Sequence, residues 1–303
     1  MTEPSGEGSV LRSATDRRAL RVNDYIELTK PRLTTLSVLT TLAGYYIGSD
    51  GVVRGDVLLH TLLGSFLVGG GCGALNMYME HEHDSRMRRT AHRPIPAGRL
   101  TPVEVLVFGV VIGLGGIAYL GFGVNPLTGT LGAVTMVSYL MLYTPLKRLT
   151  TLNTLVGAIP GAIPPMMGWA AATGNIGQGP GGWVLFGILF FWQMPHFLSL
   201  AWMCREDYAR AGYRMLAVID ADGRSTSMQI LLYTTTLIPV SLLPTTIGIA
   251  GSFYFYSALA LGLYFLFLGI RVARYRAASD ARRLFHFTLM YLPLLLLILA
   301  IDS

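Results

Sequence analysis

Apolar residues recur along this chain in runs of about 20, separated by short polar connections. Each run is long enough to cross a hydrocarbon core of about 30 Å as a helix. Nine runs are read, at about 33–49, 57–79, 102–121, 126–145, 152–173, 182–204, 228–248, 252–271 and 284–301. The pattern predicts an all-α integral membrane protein with about nine transmembrane helices.

The first 24 residues break the pattern. They are polar, lack the apolar core of about 7 to 15 residues that a signal peptide needs, and are expected to form a disordered cytoplasmic tail. Residues 25–303 are expected to be a single polytopic membrane domain. Asp24 to Thr29 is predicted as a short interfacial helix before Pro31 opens the first span.

Composition agrees with the pattern. At 52% hydrophobic and 13% charged, the 303 residues lie outside the range of soluble globular domains. Charge then orients the chain. Of 23 Lys and Arg residues, 22 fall before the first run or in the second-to-third, fourth-to-fifth, sixth-to-seventh and eighth-to-ninth connections, and Arg54 alone falls on the other side. The positive-inside rule places the N-terminus in the cytoplasm and the C-terminus outside. The net charge of +6 is therefore a topology signal, and no nucleic-acid partner is expected, because the basic residues are not interleaved with stacking aromatics. Cys72 and Cys204 fall near cytoplasmic helix ends, where thiols stay reduced, and are read as packing residues.

One stretch concentrates the chemistry. Residues 76–99 read NMYMEHEHDSRMRRTAHRPIPAGR, an apolar helix that fills first with acids and then with arginines. Asn76, Glu80 and Asp84 are four residues apart, so on a helix they form one stripe. An amide and two carboxylates at the mouth of a membrane helix suit a Mg²⁺-bound diphosphate, since Mg²⁺ takes one or two carboxylates and leaves positions for water and phosphate. Asp207, with Glu206, is a candidate for a second ion from across the cavity. Arg88, Arg89, Arg93, Lys147 and Arg148 are candidates to neutralise a departing diphosphate, each having membrane anchoring as its ordinary alternative, as do Lys30 and Arg32. If the diphosphate leaves an allylic carbon, the cation needs aromatic shielding, for which Tyr78, Tyr143, Trp169, Trp192 and Trp202 are candidates. Pro160, Pro164 and Pro165 predict a kink lining a cavity. His196 follows Pro195 about eight residues from the inner end of its run, hence roughly 12 Å deep.

These strings carry a resemblance. Asn76-x3-Glu80-x3-Asp84 followed by MRRTAHRPIPAGR resembles the first signature of the UbiA superfamily of intramembrane prenyltransferases, whose usual form is Asn-x3-Asp-x3-Asp. TKPR, YTPLKRLTTLNTLVGAIPGAIPPMMGWAAATG and FWQMPHFLSLAWMCREDYARAGYRML extend it from about Thr29 to Leu216 and resemble the branch of that family that farnesylates heme. The resemblance implies a UbiA-type bundle around a central cavity open to the cytoplasmic side of a bacterial cytoplasmic membrane. It implies transfer of a farnesyl group from farnesyl diphosphate to a vinyl carbon of heme B, with water completing heme O. By position, Asn76, Glu80, Asp84 and Asp207 would hold one or two Mg²⁺ ions. Lys30, Arg89, Arg93, Lys147 and Arg148 would contact phosphate, and Tyr143, Tyr208, Trp192 and His196 would face substrate, His196 as a heme contact. Heme A synthase or a terminal oxidase assembly is a further partner of this reading. Two positions depart from the family pattern: Glu80 stands where Asp is usual, and Ala211, four residues after Asp207, stands where many members have a second acid.

Three rivals remain: a family member acting on a phenolic or quinone precursor, an ion-coupled transporter, and a non-catalytic heme-handling factor. The transporter should carry its critical carboxylates near the midplane, whereas the acids here lie in the tail, near a surface or at inner helix mouths.

Overall fold

A computed structural model describes residues 21–303, and every regular element among them is helical. Most of the expected tail lies outside the described residues. The predicted interfacial helix is found as residues 21–28, α1. Eight helices follow that are long and apolar enough to cross a membrane: α3 (Gly55–Asp84), α4 (Pro102–Gly123), the span Pro126–Leu149, α7 (Asn153–Thr173), α8 (Gly181–Met203), α11 (Arg224–Thr246), α12 (Ser252–Tyr275) and α13 (Ala278–Asp302). The protein is thus a multi-pass membrane protein. The span Pro126–Leu149 consists of α5 (Pro126–Val137), a π-helical turn (Ser138–Tyr143) and α6 (Thr144–Leu149). Two short helices, α9 (Arg205–Arg210) and α10 (Leu216–Ile219), occupy the connection between α8 and α11.

The expected first run is α2 (Pro31–Gly48), 18 residues long; it is not among these eight, since it opens on Pro31 and Arg32 and carries Thr34, Thr35, Thr40 and Thr41. Three of these hydroxyls are satisfied by backbone: Thr34 donates to the Thr29 carbonyl at 2.6 Å, and Thr40 and Thr41 to the Ser37 carbonyl at 2.8 and 3.1 Å. What holds α2 is close contact with α7. A Cβ on Gly44 would collide with the Pro165 backbone, and one on Gly168 with that of Thr41, so the two backbones cross with no side chain between them. The α3–α4 pair does the same at Gly71 and Gly113. The three prolines inside α7 do not end it; it runs as one helix from Asn153 to Thr173, and the Gln193 amide donates to the Ala158 carbonyl at 2.7 Å.

The two largest of four apolar clusters among the described residues fill the bundle. One joins α8 to α11, α12 and α13 through Trp192, Leu237, Phe265 and Tyr291; the other joins α3, α4, α5 and α7 through Val68, Leu120, Leu131 and Met166. The polar residues of the 76–99 stretch stand at the basic face of the bundle. There the connection after α3 is tied down by Arg99, which pairs with Asp24 and with Glu27 at 2.8 Å and donates to the His92 carbonyl at 2.7 Å.

Candidate functional site

α3 has 30 residues and is therefore about 45 Å long, which carries its last turns beyond a core of about 30 Å. Asn76, Glu80 and Asp84 lie on those turns. Each is almost fully buried, at 2%, 4% and 1% exposure, so the stripe faces protein rather than lipid or water. Buried carboxylates need partners, and each member of the stripe meets a cation from a different element. Lys30, between α1 and α2, donates to Asn76 Oδ1 at 2.5 Å. Lys147 on α6 bonds Glu80 Oε1 at 2.8 Å, and Arg93 in the connection after α3 bonds Asp84 Oδ2 at 2.6 Å. Thr144 accepts from the Asn76 amide at 3.3 Å and so fixes which way that amide points.

Local backbone explains these positions. Lys30 caps α2 in the left-handed region, at φ 48°, which turns the chain from α1 into the bundle. Burial, with Arg93 adding to it, lowers the Lys30 ammonium to about 7. Lys147 is aimed by the π-turn: Pro145 has no N–H to offer, the helix widens just before it, and both the N–H and the hydroxyl of Thr144 bond the Tyr139 carbonyl. The Lys147 ammonium then sits 4.5 Å from the Tyr143 ring centre.

These groups enclose a cavity of about 100 Å³. Four cations, Lys30, Arg89, Arg93 and Lys147, line it against two carboxylates. Such a balance favours an anion, and a metal–anion complex satisfies both signs. Asp84 Oδ1 is buried with no hydrogen-bond partner, a bare hard oxygen of the kind Mg²⁺ takes. Asn76 Oδ1 and the Glu80 carboxylate complete an oxygen set that fits the ion. No group of three or more His, Cys, Asp and Glu that could hold a metal by themselves occurs among the described residues, so other oxygens must come from water or ligand.

The remaining expected residues divide. Arg89 stacks on the Tyr208 ring at 4.5 Å, and both line this cavity with Tyr143. Arg148 does not: it is exposed and donates to the Met79 carbonyl at 3.1 Å. Asp207 pairs with Arg210 and lines a neighbouring cavity with Arg88, so the structure does not bring it across from the stripe. Trp192 and His196 lie between α8 and α13. The Trp192 indole donates to the Thr288 carbonyl at 2.9 Å, and the His196 ring stacks between Trp192 and Phe285, at 5.2 and 4.8 Å between centres. The Thr288 hydroxyl gives its one proton to the Phe285 carbonyl at 2.5 Å, so it accepts from His196 Nδ1–H at 2.7 Å and leaves Nε2 with a free lone pair.

The cavity also holds residues that sequence reasoning missed. Tyr139 lies one turn before Tyr143, and Tyr213 follows the short helix α9. Tyr213 is placed by its loop: Arg214 N–H donates to the Lys147 carbonyl at 2.8 Å, Asn153 to the Arg214 carbonyl at 3.2 Å, and the Tyr213 ring packs on His83 at 5.5 Å. Its buried hydroxyl has no partner, and burial pushes its pKa above the usual tyrosine value. Of the other aromatic candidates, Trp169 packs on Gly48 and Gly181, and Trp202 lines the neighbouring cavity.

The sequence profile of the UbiA prenyltransferase family matches residues 37–293. The chain is 48% identical over 290 residues to a protoheme IX farnesyltransferase of Solibacter usitatus, covering 93% of this chain and 99% of that protein. It is 45% identical over 279 residues to one of Salinibacter ruber, covering 92% and 98%. Among solved structures, a digeranylgeranylglyceryl phosphate synthase superposes with a TM-score of 0.78 at 15% identity, over 93% of this chain and 98% of that one. A UbiA homolog from Archaeoglobus fulgidus bound to DMAPP and Mg²⁺ superposes at 0.65 and 12% identity, over 91% and 99%.

Proposed function

Because the chain belongs to the UbiA prenyltransferase family, we propose that it is a heme farnesyltransferase that joins the farnesyl group of farnesyl diphosphate to a vinyl carbon of heme B and so forms heme O. One observation carries the diphosphate half: an amide and two carboxylates on one helical stripe, each met by a cation, with one carboxylate oxygen left bare. The names of the relatives that match nearly end to end support heme as the acceptor. The membrane is a bacterial cytoplasmic membrane, with the basic face and its cavity turned to the cytoplasm and the C-terminus outside.

Mg²⁺ held by Asn76, Glu80 and Asp84 would supply charge neutralisation for the diphosphate. The chain's own groups do the rest. Lys30, Arg89, Arg93 and Lys147 exchange their present partners for phosphate oxygens, and so bind the leaving group most strongly when its charge is greatest. The C1–O bond of farnesyl diphosphate breaks, with both electrons leaving on the diphosphate. The Tyr139, Tyr143 and Tyr213 rings line the cavity and offer aromatic faces to the allylic cation. The heme vinyl carbon forms the new C–C bond, water adds to the resulting cation, and one proton is lost. His196, stacked and bonded through Nδ1, presents Nε2 as a heme contact on α8. Asp207 joins a second ion only by giving up Arg210, so the geometry favours one Mg²⁺.

The test is acceptor choice. Folded protein supplied with farnesyl diphosphate and Mg²⁺ should consume heme B and leave an aromatic acid or quinone precursor unmodified. Prenylation of the aromatic acceptor in place of heme would transfer the protein to another branch of its family.

A further inference from the structure

Beside the diphosphate cavity lies a larger one, of about 450 Å³. Three separate connections send arginines into it: Arg88 after α3, Arg205 and Arg210 on α9, and Arg276 between α12 and α13. Against these four guanidiniums stand Glu206 and Asp207, and Asp207 is already engaged by Arg210. Among the described residues neither Arg88 nor Arg205 pairs with a carboxylate, and Arg276 reaches Asp222 only at 4.0 Å. Anchoring to the membrane surface would not require three connections to converge on one concavity.

The two cavities share a wall. Arg88 and Arg89 are consecutive, and the first lines the larger cavity while the second lines the smaller. Asp207 and Tyr208 divide in the same way on α9. Trp202 and Met203 also line the larger cavity. Arg205 lies over the Trp202 ring at 4.6 Å, and the ring rests on Gly223, where φ is +71° and a Cβ would meet it. A concavity lined by four guanidiniums, two of them without a carboxylate partner among the described residues, and by an indole fits a ligand that carries carboxylates on an apolar body.

We propose that this cavity binds the carboxylates of the acceptor, Arg88, Arg205 and Arg276 receiving the two propionates of heme B. The assignment rests on the heme reading above. The vinyl and propionate groups occupy opposite edges of the porphyrin. Propionates held at the basic face therefore turn the vinyl edge inward, past the Arg88–Arg89 and Asp207–Tyr208 partition. The charges at this face thus separate by function: Arg89 serves the diphosphate and Arg88 the acceptor.

The test compares heme B with its dimethyl ester, which keeps the macrocycle and vinyls but has no carboxylate charge. Each is titrated by visible absorbance into the full-length protein in nanodiscs of neutral lipid. Wild-type protein should bind heme B about 10- to 100-fold more tightly than the ester, the range expected of charge-assisted hydrogen bonds. Arg88→Gln should weaken heme B about 10-fold, leave the ester unchanged and leave farnesyl diphosphate binding unchanged; Arg276→Gln should do the same. Equal binding of acid and ester by wild-type protein, or equal weakening of both in Arg88→Gln, would overturn the proposal. Repeating the titration with anionic lipid tests a headgroup as the true occupant: the preference for heme B should persist, and its loss in wild-type protein alone overturns the proposal. Turnover separates the two claims. Equal KM for heme B and ester defeats the carboxylate site while keeping the heme reading, whereas folded protein that binds farnesyl diphosphate but neither heme defeats both.

Discussion

Arg93 bonds one oxygen of Asp84 at 2.6 Å and leaves the other, Oδ1, buried with no hydrogen-bond partner. A buried, half-satisfied carboxylate costs stability unless a ligand completes it. Asp84→Asn preserves shape and removes the charge. Turnover should fall at least about 100-fold, as when a main electrostatic contact to the reacting group is lost, while heme titration should be unchanged. Near-normal turnover would remove Asp84 from the metal site.

Lys147 and Arg148 are neighbours in sequence with opposite surroundings: Lys147 bonds Glu80 inside the cavity, and Arg148 bonds the Met79 carbonyl outside it. Lys147→Met should raise the KM for farnesyl diphosphate about 10- to 100-fold, the loss of one charge-assisted hydrogen bond. Arg148→Ala should change it less than about threefold, as expected for an exposed charge. Equal effects of the two substitutions would contradict the placement of Lys147.

That pair also shows what the sequence can and cannot convey. The Asn76, Glu80 and Asp84 stripe was legible because helical periodicity alone fixes it. The eight spans were legible because length and hydropathy define them; α2 falls outside that measure, and there Thr40 and Thr41 bond the helix's own backbone while Gly44 meets α7. Which of Lys147 and Arg148 turns inward depends on the π-turn, which a string of residues does not announce. The same holds for Asp207 and Tyr208, whose division between two cavities is set by how six-residue α9 docks. Tyr139 and Tyr213 escaped notice because one reads as a span residue and the other as a loop residue; only the tertiary fold joins them.

Metal dependence follows from the oxygen set. Chelation with EDTA should abolish product formation, and Mg²⁺ in excess should restore it. Heme binding should persist throughout, because the residues assigned to heme are not those of the stripe. Full turnover in EDTA would exclude the assigned role of Mg²⁺.

Packing without side chains makes its own prediction. Gly44→Val forces a side chain into the Pro165 backbone and should lower thermal stability by several degrees, a cost of about 1–3 kcal/mol or more. Gly115→Ala, at a position whose Cβ meets nothing within 4 Å, should leave the melting temperature within about one degree or raise it. Unfolding in detergent, followed by circular dichroism, reads both.

Orientation can be checked chemically. In a Cys72→Ala, Cys204→Ala background, Val52→Cys lies in the exposed connection opposite the basic face and Glu82→Cys lies exposed at that face. An impermeant thiol reagent should label Val52→Cys in intact cells and Glu82→Cys only after permeabilisation. The reverse pattern would invert the protein in the membrane.

The most direct measurement is the mass of the product formed from heme B, farnesyl diphosphate and Mg²⁺ in water enriched in ¹⁸O. A heme carrying one farnesyl group and one ¹⁸O-labelled hydroxyl is predicted, absent with Asp84→Asn. Unchanged heme from folded protein that binds both substrates, or a farnesylated heme without ¹⁸O, would contradict the proposed reaction.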